Sequence, residues 1–168
     1  MMVSGFRPIS IANVVIVCAR DLEAAFVDYM KSYSLFQMLN EPWWLCKVMS
    51  SLITNSTQRG AFVEAEKYLI PTLSYFQNEG DPASFAEVLK KKGYYHVRIG
   101  QLEEALESMM EANKVYKSIG DPLKIAEGLS SIGTILGWHG NYQRGIDRLS
   151  QSLAIYQNFG MSSSMMIL

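Results

Sequence analysis

Few side chains in this sequence are suited to acid-base, nucleophilic or metal chemistry. There are two histidines, His96 and His139, and two cysteines, Cys18 and Cys46. The histidines lie 43 residues apart and are expected on different helices, one packing against a neighbour and one at an exposed corner, so they do not form a catalytic pair. Both cysteines sit in apolar surroundings, as buried thiols of low reactivity do. Two cysteines make neither a disulfide framework nor, alone, a tetrahedral metal site, which points to a reducing, cytoplasmic setting. No Gly-rich phosphate loop, Cys-x-x-Cys pair or His-Glu-x-x-His helix is present. The expectation is a non-enzymatic chain with no catalytic residues, no metal and no cofactor.

Charge offers more. Lys90, Lys91 and Lys92 form a short basic run, and Glu103, Glu104, Glu107 and Glu111 an acidic helix face; a solvated surface is the simplest reading of both. Three lysines in a chain of net charge -1 do not make a nucleic-acid patch, because phosphate contacts dominate such binding. The longest apolar stretch, Ile9 to Ala19, is interrupted by Ser10 and Asn13 and is too short for a bilayer core of about 30 Å. Neither nucleic acid nor membrane is expected as a partner. Arg7 followed by that stretch and the small ending Val17-Cys18-Ala19 roughly mimics a cleavable signal, and this remains the alternative to reading it as a first helix.

The elements that would carry these residues follow from an internal repeat. At an offset of 40, the units beginning at residues 80 and 120 share nine identical positions, among them Gly80/Gly120, Asp81/Asp121, Pro82/Pro122, Gly93/Gly133, Gly100/Gly140 and Tyr116/Tyr156. Average residue usage would give about two or three. Asn40-Glu41-Pro42 keeps the same register, a mid-unit glycine recurs at Gly60, Gly100 and Gly140, and an aromatic recurs at Phe36, Phe76, Tyr116 and Tyr156. Four units fit, over residues 1–39, 40–79, 80–119 and 120–159, with a tail at 160–168. The first has Arg20 where the others have glycine.

Each unit reads as two helices around a tight corner. Asp81 and Asp121 can accept hydrogen bonds from the free amides of a first turn, and Pro82 and Pro122 sit where a missing N–H costs nothing. Gly100 and Gly140 suit a positive-φ helix end. Small residues mark close helix approach: Ala25, Ala65, Ala105 and Gly145 on second helices, Ala86, Ala126, Gly93 and Gly133 on first helices. Helices are expected near 7–18, 22–37, 42–57, 61–77, 82–98, 101–117, 122–138 and 141–158.

This pattern resembles the tetratricopeptide repeat. Gly93, Gly100, Leu102, Ala105 and Ala112, and again Gly133, Gly140, Tyr142 and Leu149, match the small and apolar positions of that family. The 40-residue period and Gly-Asp-Pro junctions depart from the 34-residue form and look like the longer repeats of maltose-regulator-type bacterial activators, kinesin light chains and spindle-orientation adaptors. The resemblance implies an all-α, right-handed superhelical solenoid of about four helix-turn-helix repeats, in one domain, that binds protein or peptide in its concave groove.

In that geometry the first helix of each pair lines the inner wall. The inner positions that could meet a partner are Lys47, Ser50, Thr54 and Gln58; Lys90, Lys91, Tyr94 and Arg98; and Ser131, Thr134 and Trp138, with Arg7, Ser10 and Val14 in the first unit. Lys47, Lys90, Lys91 and Arg98 outweigh Glu87 and Glu127, favouring an acidic or carboxylate-bearing peptide, and Tyr94 and Trp138 supply aromatic anchors. The family's carboxylate clamp for chaperone tails is not expected, since only Lys91 offers a donor at a clamp position. The alternative is a ligand- or peptide-sensing segment of a multidomain regulator. Arrays need a polar cap, and Met161 to Leu168 is too short for a capping helix, so the last face is expected either to continue into a longer chain or to pair in a homodimer.

Overall fold

The computed structural model describes the backbone of residues 11–158 and the side chains of residues 21–158. Over that range the chain forms seven helices: α1 (Ile11–Met38), α2 (Pro42–Arg59), α3 (Phe62–Asn78), α4 (Pro82–Arg98), α5 (Leu102–Ile119), α6 (Pro122–Trp138) and α7 (Tyr142–Asn158). No strand occurs among the described residues. Helices α2/α3, α4/α5 and α6/α7 pack as successive antiparallel pairs, with α1 against α2. The first helices α2, α4 and α6 form one layer and the second helices α3, α5 and α7 the other.

A backbone device recurs at every corner. Gly60, Gly80, Gly100, Gly120 and Gly140 all have positive φ, between 69° and 84°, and Asn40 at 53° takes the same role in the residue type that best tolerates it after glycine. Left-handed residues spaced by twenty therefore follow each of α1 to α6 and turn the chain back. At the start of α4 the Asp81 carboxylate accepts from the Ser84 amide at 2.9 Å, and at α6 Asp121 accepts from Lys124 at 3.0 Å. Glu41, one methylene longer, makes no such cap at α2.

The exception is the first unit. Helices over 7–18 and 22–37 with a corner between them were expected, and instead α1 runs unbroken through Arg20 for 28 residues. A left-handed corner costs a residue with a Cβ about 1–2 kcal/mol, and Arg20 is not one of the types that compensate with a short polar side chain. The described array is therefore a long leading helix followed by three helix pairs. Residues 1–10, which include Arg7 and Ser10 and the start of the signal-like stretch, lie outside the described residues, as do the side chains of Val14 and Cys18.

Close packing sets the layer spacing. Ala65, Ala86, Ala105 and Ala126 are fully buried at helix crossings. Phe76, Leu52, Ile53, Tyr68 and Val88 fill the core between the second and third units, while Met109, Ile132, Ile135 and Leu136 fill it between the third and fourth. No helix among the described residues is long and apolar enough to cross a membrane.

Candidate functional site

The inner positions fall into two groups with different work. In the first, cations hold neighbouring helices together. Lys90 of α4 reaches Glu127 of α6 at 2.6 Å and Glu87 at 3.5 Å, while Lys124 reaches the same two carboxylates at 3.4 and 2.7 Å. The result is a square of alternating charge locking α4 to α6. Burial pushes the Glu87 carboxyl up, but the hydrogen bond from Lys124 and the charge of Lys90 outweigh it and hold it below its ordinary value. Lys124 is raised by the hydrogen bond to Glu87. The buried Tyr116 hydroxyl beside them is raised, by burial first and by the Glu87 charge second.

Lys91 donates to the Ser50 carbonyl oxygen of α2 at 2.8 Å, and burial pulls its pKa down to about 8. Lys47 hydrogen-bonds Ser84 of α4, and its ammonium lies 4.9 Å from the Trp43 ring and 5.3 Å from Phe76. Ser50 itself is buried at 7% exposure. The basic run at 90–92 is thus not a solvated face at Lys90 and Lys91; both ammonium groups brace the stack. The pattern was available in the repeat: Lys47 to Ser84 and Lys90 to Glu127 each span 37 residues and Lys91 to Ser50 spans 41, one period of 40 less three or plus one. Residues so spaced sit side by side on adjacent first helices.

The second group forms a hollow. Tyr94 and Val97 of α4, Met109 of α5, and Ser130, Ser131, Thr134, Ile135 and Trp138 of α6 surround a space of about 360 Å³. Four inner positions, Tyr94, Ser131, Thr134 and Trp138, are brought together here. Trp138 is 61% exposed, a large apolar surface with a free indole edge. The Ser131 hydroxyl donates to Glu127 O at 3.1 Å and Thr134 donates to Ser130 O at 3.0 Å, so both present only acceptor lone pairs to a ligand. Tyr94 accepts from Arg98 at 3.1 Å and keeps its own proton for donation. Thr54, half-buried, and Gln58, exposed, are on α2 and do not line this hollow.

Cys46 is buried in the core, and burial pushes its thiol up to about 11. His96 Nδ1 lies 2.8 Å from Gln101 Oε1, and His139 Nε2 lies 3.6 Å from Glu103. Among the described residues no group of three or more His, Cys, Asp or Glu is placed to hold a metal. Glu103, Glu104, Glu107 and Glu111 are all exposed, the solvated acidic face expected. On α7, Tyr142, Ile146 and Leu149 are exposed at 70, 56 and 41%.

No protein-family model and no curated relative matches the sequence. Solved structures do resemble it. One is BtubC (BKLC) from P. vanneervenii, at TM-score 0.70 and 20% identity, with 82% of this chain and 57% of that one covered. A second neighbour is a signal transduction ATPase with numerous domains from Pyrococcus horikoshii, described as carrying a tetratricopeptide repeat sensor, at TM-score 0.71 and 23% identity. The fold is a tetratricopeptide-like repeat array. That alignment covers 84% of this chain and 23% of the ATPase, so this tetratricopeptide-like array spans about half of one neighbour and a quarter of the other.

Proposed function

We propose that this repeat-type interaction module is a non-enzymatic scaffold that holds a peptide or partner helix on the concave face, seated in the hollow between α4 and α6. The observation that carries the reading is the exposed Trp138 beside a hollow whose polar groups divide into acceptors and a donor. Ser131 and Thr134 can take hydrogen bonds from backbone amides, and the Tyr94 hydroxyl can give one to a carbonyl. A polypeptide presents both. Val97, Met109 and Ile135 provide apolar surface for one side chain. Because Lys47, Lys90 and Lys91 are engaged in bracing, Arg98 is the inner cation left to attract an acidic residue of the partner.

The test is selection of a binding peptide from an array, followed by its affinity for Trp138→Ala and Tyr94→Ala. Loss of about tenfold or more in each, with unchanged helicity, is expected for anchors of this kind. Unchanged affinity in both would place binding elsewhere. A second reading, the sensing segment of a larger regulator, is favoured by the likeness to the sensor-bearing ATPase. It predicts that the same peptide alters the activity of an attached output domain.

A further inference from the structure

Helix α6 carries a second hollow on the face opposite Trp138. Between α5 and α7 a cavity of about 480 Å³ is floored by Leu129, Ile132 and Leu136. Its volume is within the range of small-molecule sites, about 300–1,000 Å³. Two stripes of cations face each other across that floor, Lys114 and Lys117 from α5 and Arg144 and Arg148 from α7. Lys114 and Lys117 are three apart and Arg144 and Arg148 four apart, so each pair stands on a single helix face.

None of these four cations is ion-paired with a carboxylate among the described residues; Arg148 has only a neutral hydrogen bond to Gln151 at 3.2 Å. Glu111 shares the rim and offsets one charge, leaving a surplus of three. By contrast, Lys90 and Lys124 are each bound to two carboxylates. An apolar trough between like-charged walls repels itself until an anion enters, and arginine forks suit a carboxylate or phosphate.

We propose that this cavity binds a small anionic amphiphile, an apolar body lying against Leu106 and the half-exposed Met110, above the buried Leu129, Ile132 and Leu136, with a carboxylate or phosphate head held by the Lys114, Lys117, Arg144 and Arg148 rim. The site is independent of the peptide hollow, which uses the other face of α6. The test is calorimetric titration of the purified chain with decanoate and decyl phosphate below their micellar concentrations, alongside decanol and decyltrimethylammonium. One equivalent of each anion should bind, with decanol weaker and the cation not at all. Stronger binding of decanoate identifies a carboxylate head and of decyl phosphate a phosphate head, and either supports the site. Arg144→Glu with Arg148→Glu should weaken the anions by about tenfold or more while the circular dichroism spectrum is unchanged. No anion binding, equal binding of decanol, or wild-type affinity in the double variant would overturn the proposal. Amide shifts on binding that avoid α5 and α7 would do the same.

Discussion

Gly133 and Gly145 meet so closely where α6 crosses α7 that a Cβ on either would stand 2.9 Å from the other's carbonyl oxygen. Leu149 closes the same crossing, its Cγ 2.8 Å from the place a Gly133 Cβ would occupy. Backbone cannot yield here as a flexible side chain can. Gly133→Leu is therefore expected to destabilise by overpacking, by about 1–3 kcal/mol, and Gly133→Ala in the same direction. Gly137, four residues on in the same helix, has nothing within 4 Å of its Cβ position, so Gly137→Ala should stabilise by about 0.5 kcal/mol through the gain in helix propensity. Denaturant unfolding of the variants checks the pair of opposite signs.

The helix starts give a second contrast. Asp81→Ala and Asp121→Ala each remove an N-cap and should cost about 1 kcal/mol, whereas Glu41→Ala, at the equivalent start without a cap bond, should cost little. Burial works to raise the Asp81 carboxyl, but hydrogen bonds from Ser84 and Trp43 and the charge of Lys47 hold it below its ordinary value. A carboxyl depressed in the folded state contributes stability that is present above its unfolded pKa and lost as pH falls through the folded one. The penalty of Asp81→Ala should therefore shrink on acidification from neutral pH, measured by unfolding wild type and variant in parallel.

Lys91 supplies a pH dependence of the other kind. Its folded pKa of about 8 lies below the ordinary 10.5, so at neutral pH the chain bears the cost of a desolvated ammonium in full. Between those two values the unfolded chain holds a proton that the native one has released, and the stability contributed by this site rises with pH. Relative to Lys91→Met, wild type should gain about 3 kcal/mol between neutral pH and the upper end of that window. Other groups, such as Cys46 and the buried tyrosines, titrate alike in both proteins, so the difference isolates Lys91. A flat difference would mean that the ammonium is not desolvated.

Much of the fold was legible because the corner chemistry is local. A glycine spaced every twenty residues, with Asp-Pro after alternate ones, dictates where helices stop and start, and the same reasoning explains the failure at Arg20, which offers no left-handed corner and leaves α1 continuous. The Tyr94, Ser131, Thr134 and Trp138 cluster was legible too, since it needs only the inner stripe of two adjacent first helices. The fate of the lysines was not. Whether Lys90 attracts a ligand or braces α6 depends on Glu127 standing one period less three away, a pairing visible only once the repeat offset is combined with the helical turn. The rim of Lys114, Lys117, Arg144 and Arg148 is not legible in the same way: it stands on the second helices α5 and α7, outside the inner stripe of the first helices.

The most direct test of the concave-hollow account uses Trp138 itself. With 5-fluorotryptophan at Trp43, Trp44 and Trp138, the resonances assigned by single Trp→Phe variants, the fluorine spectrum is followed during titration with the selected peptide. The account predicts a saturating shift at Trp138, with Trp43 and Trp44 at the far end of the array unmoved. A shift confined to Trp43 or Trp44, with Trp138 unchanged at saturation, would contradict it.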